Sequence, residues 1–179
     1  MESYYYIKYK KSISLSEQLL INCVQNGCTD GDFSYALDYV KANGISDVNY
    51  KYTGKTGTCP VFKQKGLLKV KSAVSIPEGN EIKMKEIVAN IGPVAVAVDC
   101  RWPTFILYKS GVYHENRCNT NAVNHAMIVV GYGSENNQDY WLVRNSWGES
   151  WGEAGYIKMA RNKKSHCGIA DYGMYPKLV

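Results

Sequence analysis

No apolar run in the 179 residues approaches the roughly 18 needed to cross a bilayer, so no membrane segment or membrane partner is expected. No signal-peptide pattern opens the chain, so any secretory leader is absent or already removed. Histidine is scarce, at three residues, and no C-x-x-C pair or Cys/His cluster has zinc-ligand spacing. That argues against a metal centre, and no cofactor is expected. The net charge is +5, yet the basic residues are scattered, with Lys8, Lys10 and Lys11 the densest group. Without a basic stripe or a recognisable module, nucleic acid is not expected as a partner. There is no internal repeat, no low-complexity linker and no N-x-[ST] acceptor.

What is present is an ordinary globular balance, 45% hydrophobic and 21% charged, in a length that fits one core or two small lobes. Six cysteines stand out: Cys23, Cys28, Cys59, Cys100, Cys118 and Cys167. They suit disulfides in an oxidising compartment, although the count alone leaves the pairing open.

The opening "MESYYYIKYKK" reads as a helix already under way. Only Ser3 is available to cap it, and no Glu or Gln follows at the capping-box spacing. Ser14, with Glu17 three residues on, announces a second helix through "QLLINC". "DFSYALDYVKANG" places Phe33, Ala36, Leu37 and Val40 on one helical face, with Asp30 and Asp32 at its start and Gly44 at its end. Residues 45–75 carry turn-forming sequence and no strong period. "NEIKMKEIVANIGP" aligns Met84, Ile87, Val88 and Ile91 before Gly92-Pro93 stops the helix. Strand-like segments then take over at 93–99, 125–133, 139–146 and 155–161. Helices followed by strands define an α+β fold.

Among three histidines, only His125 opens a strand-like apolar run. Twenty residues on, Asn145 sits at another strand end inside "RNSWGESWGEAGY". An Asn that accepts from one imidazole nitrogen fixes the tautomer and frees the other nitrogen for proton transfer. Trp147 could shield that bond from water, and the bland alternative for Trp147 and Trp151 is an aromatic core.

"SLSEQLLINC", "NHAMIVVGYG", "YWLVRNSWGESWGEAGYIKMA" and "HCGIA" resemble, in order and spacing, the signatures of papain-family cysteine peptidases, in particular cathepsin L-like members. The resemblance runs over essentially the whole chain. It implies a two-lobe fold, with a helical lobe at 1–76 that is incomplete, its central helix truncated, and a β-barrel-like lobe at 77–179. A return of the last few residues to the first lobe is left open. It also implies His125 as catalytic base, Asn145 as its orienting partner and Trp147 as the covering indole. Family pairing would join Cys23 to Cys59 and Cys118 to Cys167. Cys28 is left as an orphan, and Cys100 as a free thiol.

The family nucleophile sits in a C-G-[SA]-C-[WY] stretch about 130–150 residues before the histidine. No such stretch occurs in this sequence, and counting back about 130 residues from His125 lands before Met1. The opening helix resembles the last turns of the helix that carries the nucleophile. The glutamine that helps the oxyanion in the family is absent too. Loss of a protease nucleophile alone costs about 10⁶ in kcat, so the chain alone is expected not to hydrolyse peptides. Relocation of the nucleophile to Cys100 or Cys28 would need a new oxyanion hole.

The resemblance further implies that Gly31 offers backbone bonds to an extended peptide, beside Asp30 where a second glycine is common, with Phe33 nearby. Ala97, Val123, Asn124, Ala126 and Tyr172 would shape substrate binding. Tyr172 points to a shallow pocket for a medium aliphatic side chain. Without the missing helix an apolar trough would be bared, so a covering segment or self-association is expected. Expected partners are peptide or protein substrates, the missing N-terminal segment, a propeptide or a protein inhibitor, in a lysosomal or extracellular setting. The rival reading is a catalytically dead pseudo-protease whose cleft binds peptides or a partner.

Overall fold

In the computed structural model, which describes residues 1–45, 50–60 and 66–179, short polar side chains start three of the helices. Two units emerge: Met1–Val74 with Pro176–Val179, and Ser75–Tyr175.

In the first unit, α1 (Glu2–Tyr9) begins at Met1 without a side-chain cap and buries only Tyr4. Tyr6, Ile7 and Tyr9 stay exposed. Glu2 accepts the Leu15 N–H at 2.9 Å, and Tyr9 donates its hydroxyl to the Val179 carbonyl at 3.2 Å. Helix α2 (Glu17–Cys23) starts from Ser16, whose hydroxyl accepts the Leu19 N–H at 3.1 Å. The cap is therefore Ser16 and not Ser14. A capping oxygen must precede the first helical residue directly to reach the third N–H beyond it. Helix α3 (Phe33–Asn43) starts from Asp32 and buries Leu37 and Val40. It ends at Gly44, whose φ of 79° is readily adopted only without a side chain.

The turn-rich stretch after α3 is tied down by side chains. Gln18, only 2% exposed, donates to the Lys55 carbonyl at 2.8 Å and accepts the Thr53 N–H at 2.8 Å. Cys23 and Cys59 are bonded to each other. Residues 46–49 and 61–65 of this stretch lie outside the described residues. Ile45 bridges Leu68, and β1 (Val70–Ser75) follows, a strand the turn-like sequence did not announce.

The second unit holds α4 (Glu81–Asn90), β2 (Val94–Val98), α5 (Pro103–Ile106), β3 (Val112–Tyr113), β4 (His125–Glu135), β5 (Gln138–Arg144), β6 (Tyr156–Ala160), a 3₁₀ turn at His166–Gly168, and the start of β7 (Met174–Leu178). Its strands run β7-β2-β4-β5-β6-β3, all neighbours antiparallel except β3 with β6. Among the described residues no pairing joins β3 to β7, so the sheet is open where a barrel-like lobe was expected.

The register pairs Val94 with Val129, Val96 with Met127 and Val98 with His125. Paired residues share a face. The first two pairs bury their side chains in a core completed by Trp141, Val143, Ile157 and Met159. His125 is the last member of that inward row. The β4–β5 turn uses Asn136 and Asn137, at φ 47° and 61°, the left-handed geometry of a two-residue hairpin.

Candidate active site

Two adjacent strands deliver the site within the second unit. His125 is the first residue of β4 and Asn145 follows the last residue of β5. Asn145 is 8% exposed, and its N–H donates to the Gly155 carbonyl at 2.9 Å. Gly155 sits at φ 86°, which turns the chain back beneath Asn145.

The Asn145 Oδ1 accepts the Ser146 N–H at 2.8 Å and lies 2.8 Å from His125 Nε2. A backbone donor at the same atom identifies it as the oxygen. His125 Nε2 therefore carries the proton and donates it, which leaves Nδ1 with its lone pair. Nothing among the described residues hydrogen-bonds that Nδ1. The buried Nδ2 of Asn145 also has no partner among them.

Trp147 lies over the imidazole, ring centroids 5.0 Å apart and planes inclined by 34°. Phe105 and Trp151 hold it edge-on, at 5.7 and 5.2 Å. Trp151 is fixed in turn by donating Nε1 to the Ile106 carbonyl at 2.9 Å. Trp147 and Trp151 are therefore part of one aromatic cluster on the site's flank, while the indole at the centre of the core is Trp141, with 0% exposure. Sequence reading did not single out Phe105, whose partners Trp147 and Trp151 lie far along the chain.

The loop before His125 is anchored to the end of β2. Asn124 donates its N–H to the Val98 carbonyl at 2.9 Å and accepts the Cys100 N–H on Oδ1 at 2.9 Å. Cys100 is a half-buried free thiol. Burial, and then the neighbouring Asp99 charge, push its pKa up. A thiol held protonated is a poor nucleophile, so nothing here equips Cys100 to replace one. Cys28, in the first unit, is free and exposed.

Cys118 and Cys167 form the second disulfide. With His166 they bring three ligand-type atoms within 4.8 Å, but both sulfurs are consumed in that bond and are not metal ligands.

The remaining expected residues fall in both units. Ala97 pairs with Ala126 across β2 and β4, on the face opposite the core row. Val123 is half-buried, while Ala126 and Tyr172 are exposed. In the first unit Asp30 and Gly31 are exposed and Phe33 is half-buried. The Gly31 N–H donates to the Asp30 carboxylate at 2.7 Å, so Asp30 occupies the donor that a second glycine would leave free.

A strand-borne histidine of fixed tautomer, an orienting asparagine and a covering indole can take a proton at Nδ1 and return it. Residues 1–177 match the papain family of cysteine proteases, and the chain belongs to that family. It is 45% identical to cathepsin L of Sarcophaga peregrina over 99% of this chain and 55% of that protein. It is 42% identical to a cathepsin L-like peptidase of Aedes aegypti, over 98% of this chain and 54% of the relative. A solved digestive procathepsin L2 proteinase from Tenebrio molitor larval midgut superposes with a TM-score of 0.90 at 42% identity, over 94% of this chain and 55% of that one. The chain thus spans about half the length of the relatives it matches. Among the described residues no helix is long and apolar enough to cross a membrane.

Proposed function

We propose that the protein is a papain-like cysteine endopeptidase, with His125 as general base and acid, Asn145 as its orienting partner and Trp147 as the shield. The observation that carries this reading is the 2.8 Å His125–Asn145 hydrogen bond under the Trp147 ring. His125 Nδ1 would take the proton of a cysteine thiol, and the thiolate would attack the scissile carbonyl. The imidazolium would then pass its proton to the leaving amine, and a water activated by the same nitrogen would release the acyl group. Asn145 keeps the ring in the tautomer that makes both transfers possible at one atom.

The 179 residues hold no cysteine in the family's nucleophile motif and no oxyanion glutamine. The chain alone is therefore expected not to hydrolyse peptides. Its substrates are peptides or proteins, and a propeptide or protein inhibitor would compete for the same surface. Small Ala97 and Ala126 with the bulky Tyr172 favour a medium aliphatic side chain in the main specificity pocket. The two disulfides suit a lysosomal or extracellular setting.

The test is the intact mass of the native protein together with its hydrolysis of a fluorogenic peptide. A mass well above 20.1 kDa, upstream peptides containing the nucleophile motif, and hydrolysis abolished by His125→Ala support the reading. A mass equal to the chain's own, with peptide binding but no hydrolysis, would replace it with the peptide-binding pseudo-protease.

A further inference from the structure

The strongest unassigned feature is a buried carboxylate behind the site. Asp99 follows β2 and is 0% exposed. Its Oδ1 accepts Arg101 Nε at 2.7 Å, and its Oδ2 accepts the Asn119 N–H at 3.0 Å. Arg101 reaches on to donate Nη2 to the Ala122 carbonyl. Asp99 and Arg101 thus hold both ends of the 119–122 segment, which leads through Val123 and Asn124 directly into His125.

The same loop is braced from its other side. The Asp99 N–H donates to the Cys167 carbonyl at 2.8 Å, and Cys167 is bonded to Cys118 at the loop's start. Gly168 lies so close that an added Cβ would meet Val123 Cγ1 at 2.6 Å. Burial would raise the Asp99 pKa, but the Asn119 N–H and Arg101 outweigh it and keep the carboxyl below its ordinary value.

We infer that Asp99 and Arg101 are positioning residues for His125: their clasp fixes the 119–124 loop, and the loop fixes where the imidazole meets Asn145. The inference rests on the reading of His125 as base. It adds a two-residue device on which that base depends, acting through the backbone of the loop.

The experiment records two-bond ¹⁵N–¹H spectra of the histidine rings in this chain, wild type against Arg101→Met and Asp99→Asn, with thermal melts as a folding control. Arg101 is partly exposed, so Arg101→Met is expected to stay folded. Asp99→Asn keeps one acceptor and serves as the milder second variant. The wild type should show the Nε2–H tautomer of His125. In Arg101→Met the exchange of that ring proton with water should rise about tenfold, the weight of one charge-assisted hydrogen bond, with a smaller rise in Asp99→Asn. Wild-type exchange and tautomer in both folded variants would overturn the inference. Failure of the underlying reading looks different: His125→Ala would leave peptide hydrolysis by the native protein intact.

Discussion

Removing the Glu81 carboxylate should cost this protein much of its stability. Glu81 lies in the first turn of α4, yet it is 8% exposed and faces three donors from distant parts of the chain. Trp141 Nε1 donates to Oε2 at 3.1 Å, the Asn162 N–H to Oε2 at 2.7 Å, and the Ser165 N–H to Oε1 at 3.0 Å. Asn162 and Ser165 hold left-handed backbone, at φ 62° and 55°, so the carboxylate pins a strained segment to the core. In Glu81→Ala the Asn162 N–H can turn to water, because that residue is exposed. The Trp141 and Ser165 donors are buried and stay unpaired. At about 1–3 kcal/mol for each stranded donor, Glu81→Ala should cost roughly 3–5 kcal/mol of the usual 5–15. Glu81→Gln keeps one acceptor oxygen and should cost about half as much. Urea unfolding at neutral pH, followed by tryptophan fluorescence, measures both. A loss below about 1 kcal/mol in Glu81→Ala would refute the reasoning, because it would mean that the buried donors find partners elsewhere.

Four further outcomes are expected. His166 is buried, stacks on His114 at 4.6 Å and accepts the Glu115 N–H at 2.8 Å. Burial, and then the His114 charge, lower its pKa from 6.5 to about 4. The unfolded chain therefore binds this proton more readily than the folded one. Its contribution is complete above pH 6.5 and about 3 kcal/mol should be lost as the pH falls to about 4, an effect absent from His166→Gln in urea melts taken across that range. Replacing Cys23 and Cys59 together by Ser opens a loop with a sequence separation of 36, which should cost about 4 kcal/mol by loop-closure entropy, measured the same way. A thiol-reactive chromophore should titrate two thiols in the folded chain, Cys28 fast and Cys100 slowly. Equal rates would contradict the burial and raised pKa of Cys100. Finally, Asp30→Gly should free the Gly31 N–H and tighten binding of an extended peptide inhibitor. Unchanged affinity would show that this donor plays no part.

Helices α3 and α4 were legible because local signals agreed: Asp32 and Asn80 cap them, and Leu37, Val40, Met84 and Ile87 recur at helical spacing and are buried. The strands around His125 and Asn145 were legible for the same local reason, as β-branched runs between Gly and Asn turns. The short α5 and β3 were not. Phe105, Tyr108 and Tyr113 are scattered through that segment with no period; Tyr113 packs edge-on with the other two, and Phe105 and Tyr108 also meet Trp147 or Trp151 from beyond β5. Glu81 and Asp99 drew no reading from the sequence: the donors that hold Glu81 lie 60 and 84 residues on, and the Asn119 N–H that Asp99 accepts lies 20 residues on, so neither role leaves a local pattern. The motif around His125 and Asn145 could nominate the pair. Only the register of β2, β4 and β5 shows how their side chains meet.

The central claim is that this chain carries the proton-transfer half of a cysteine peptidase and depends on a thiol not found among its family-matching motifs. The most direct measurement is hydrolysis of a fluorogenic peptide by the chain alone, and by the chain fused to an N-terminal segment bearing the Gln and Cys motif of a cathepsin L relative. The account predicts no hydrolysis by the chain alone, hydrolysis by the fusion, and its loss when His125 is changed to Ala. Hydrolysis by the unfused chain, or a fusion that stays active without His125, would contradict it.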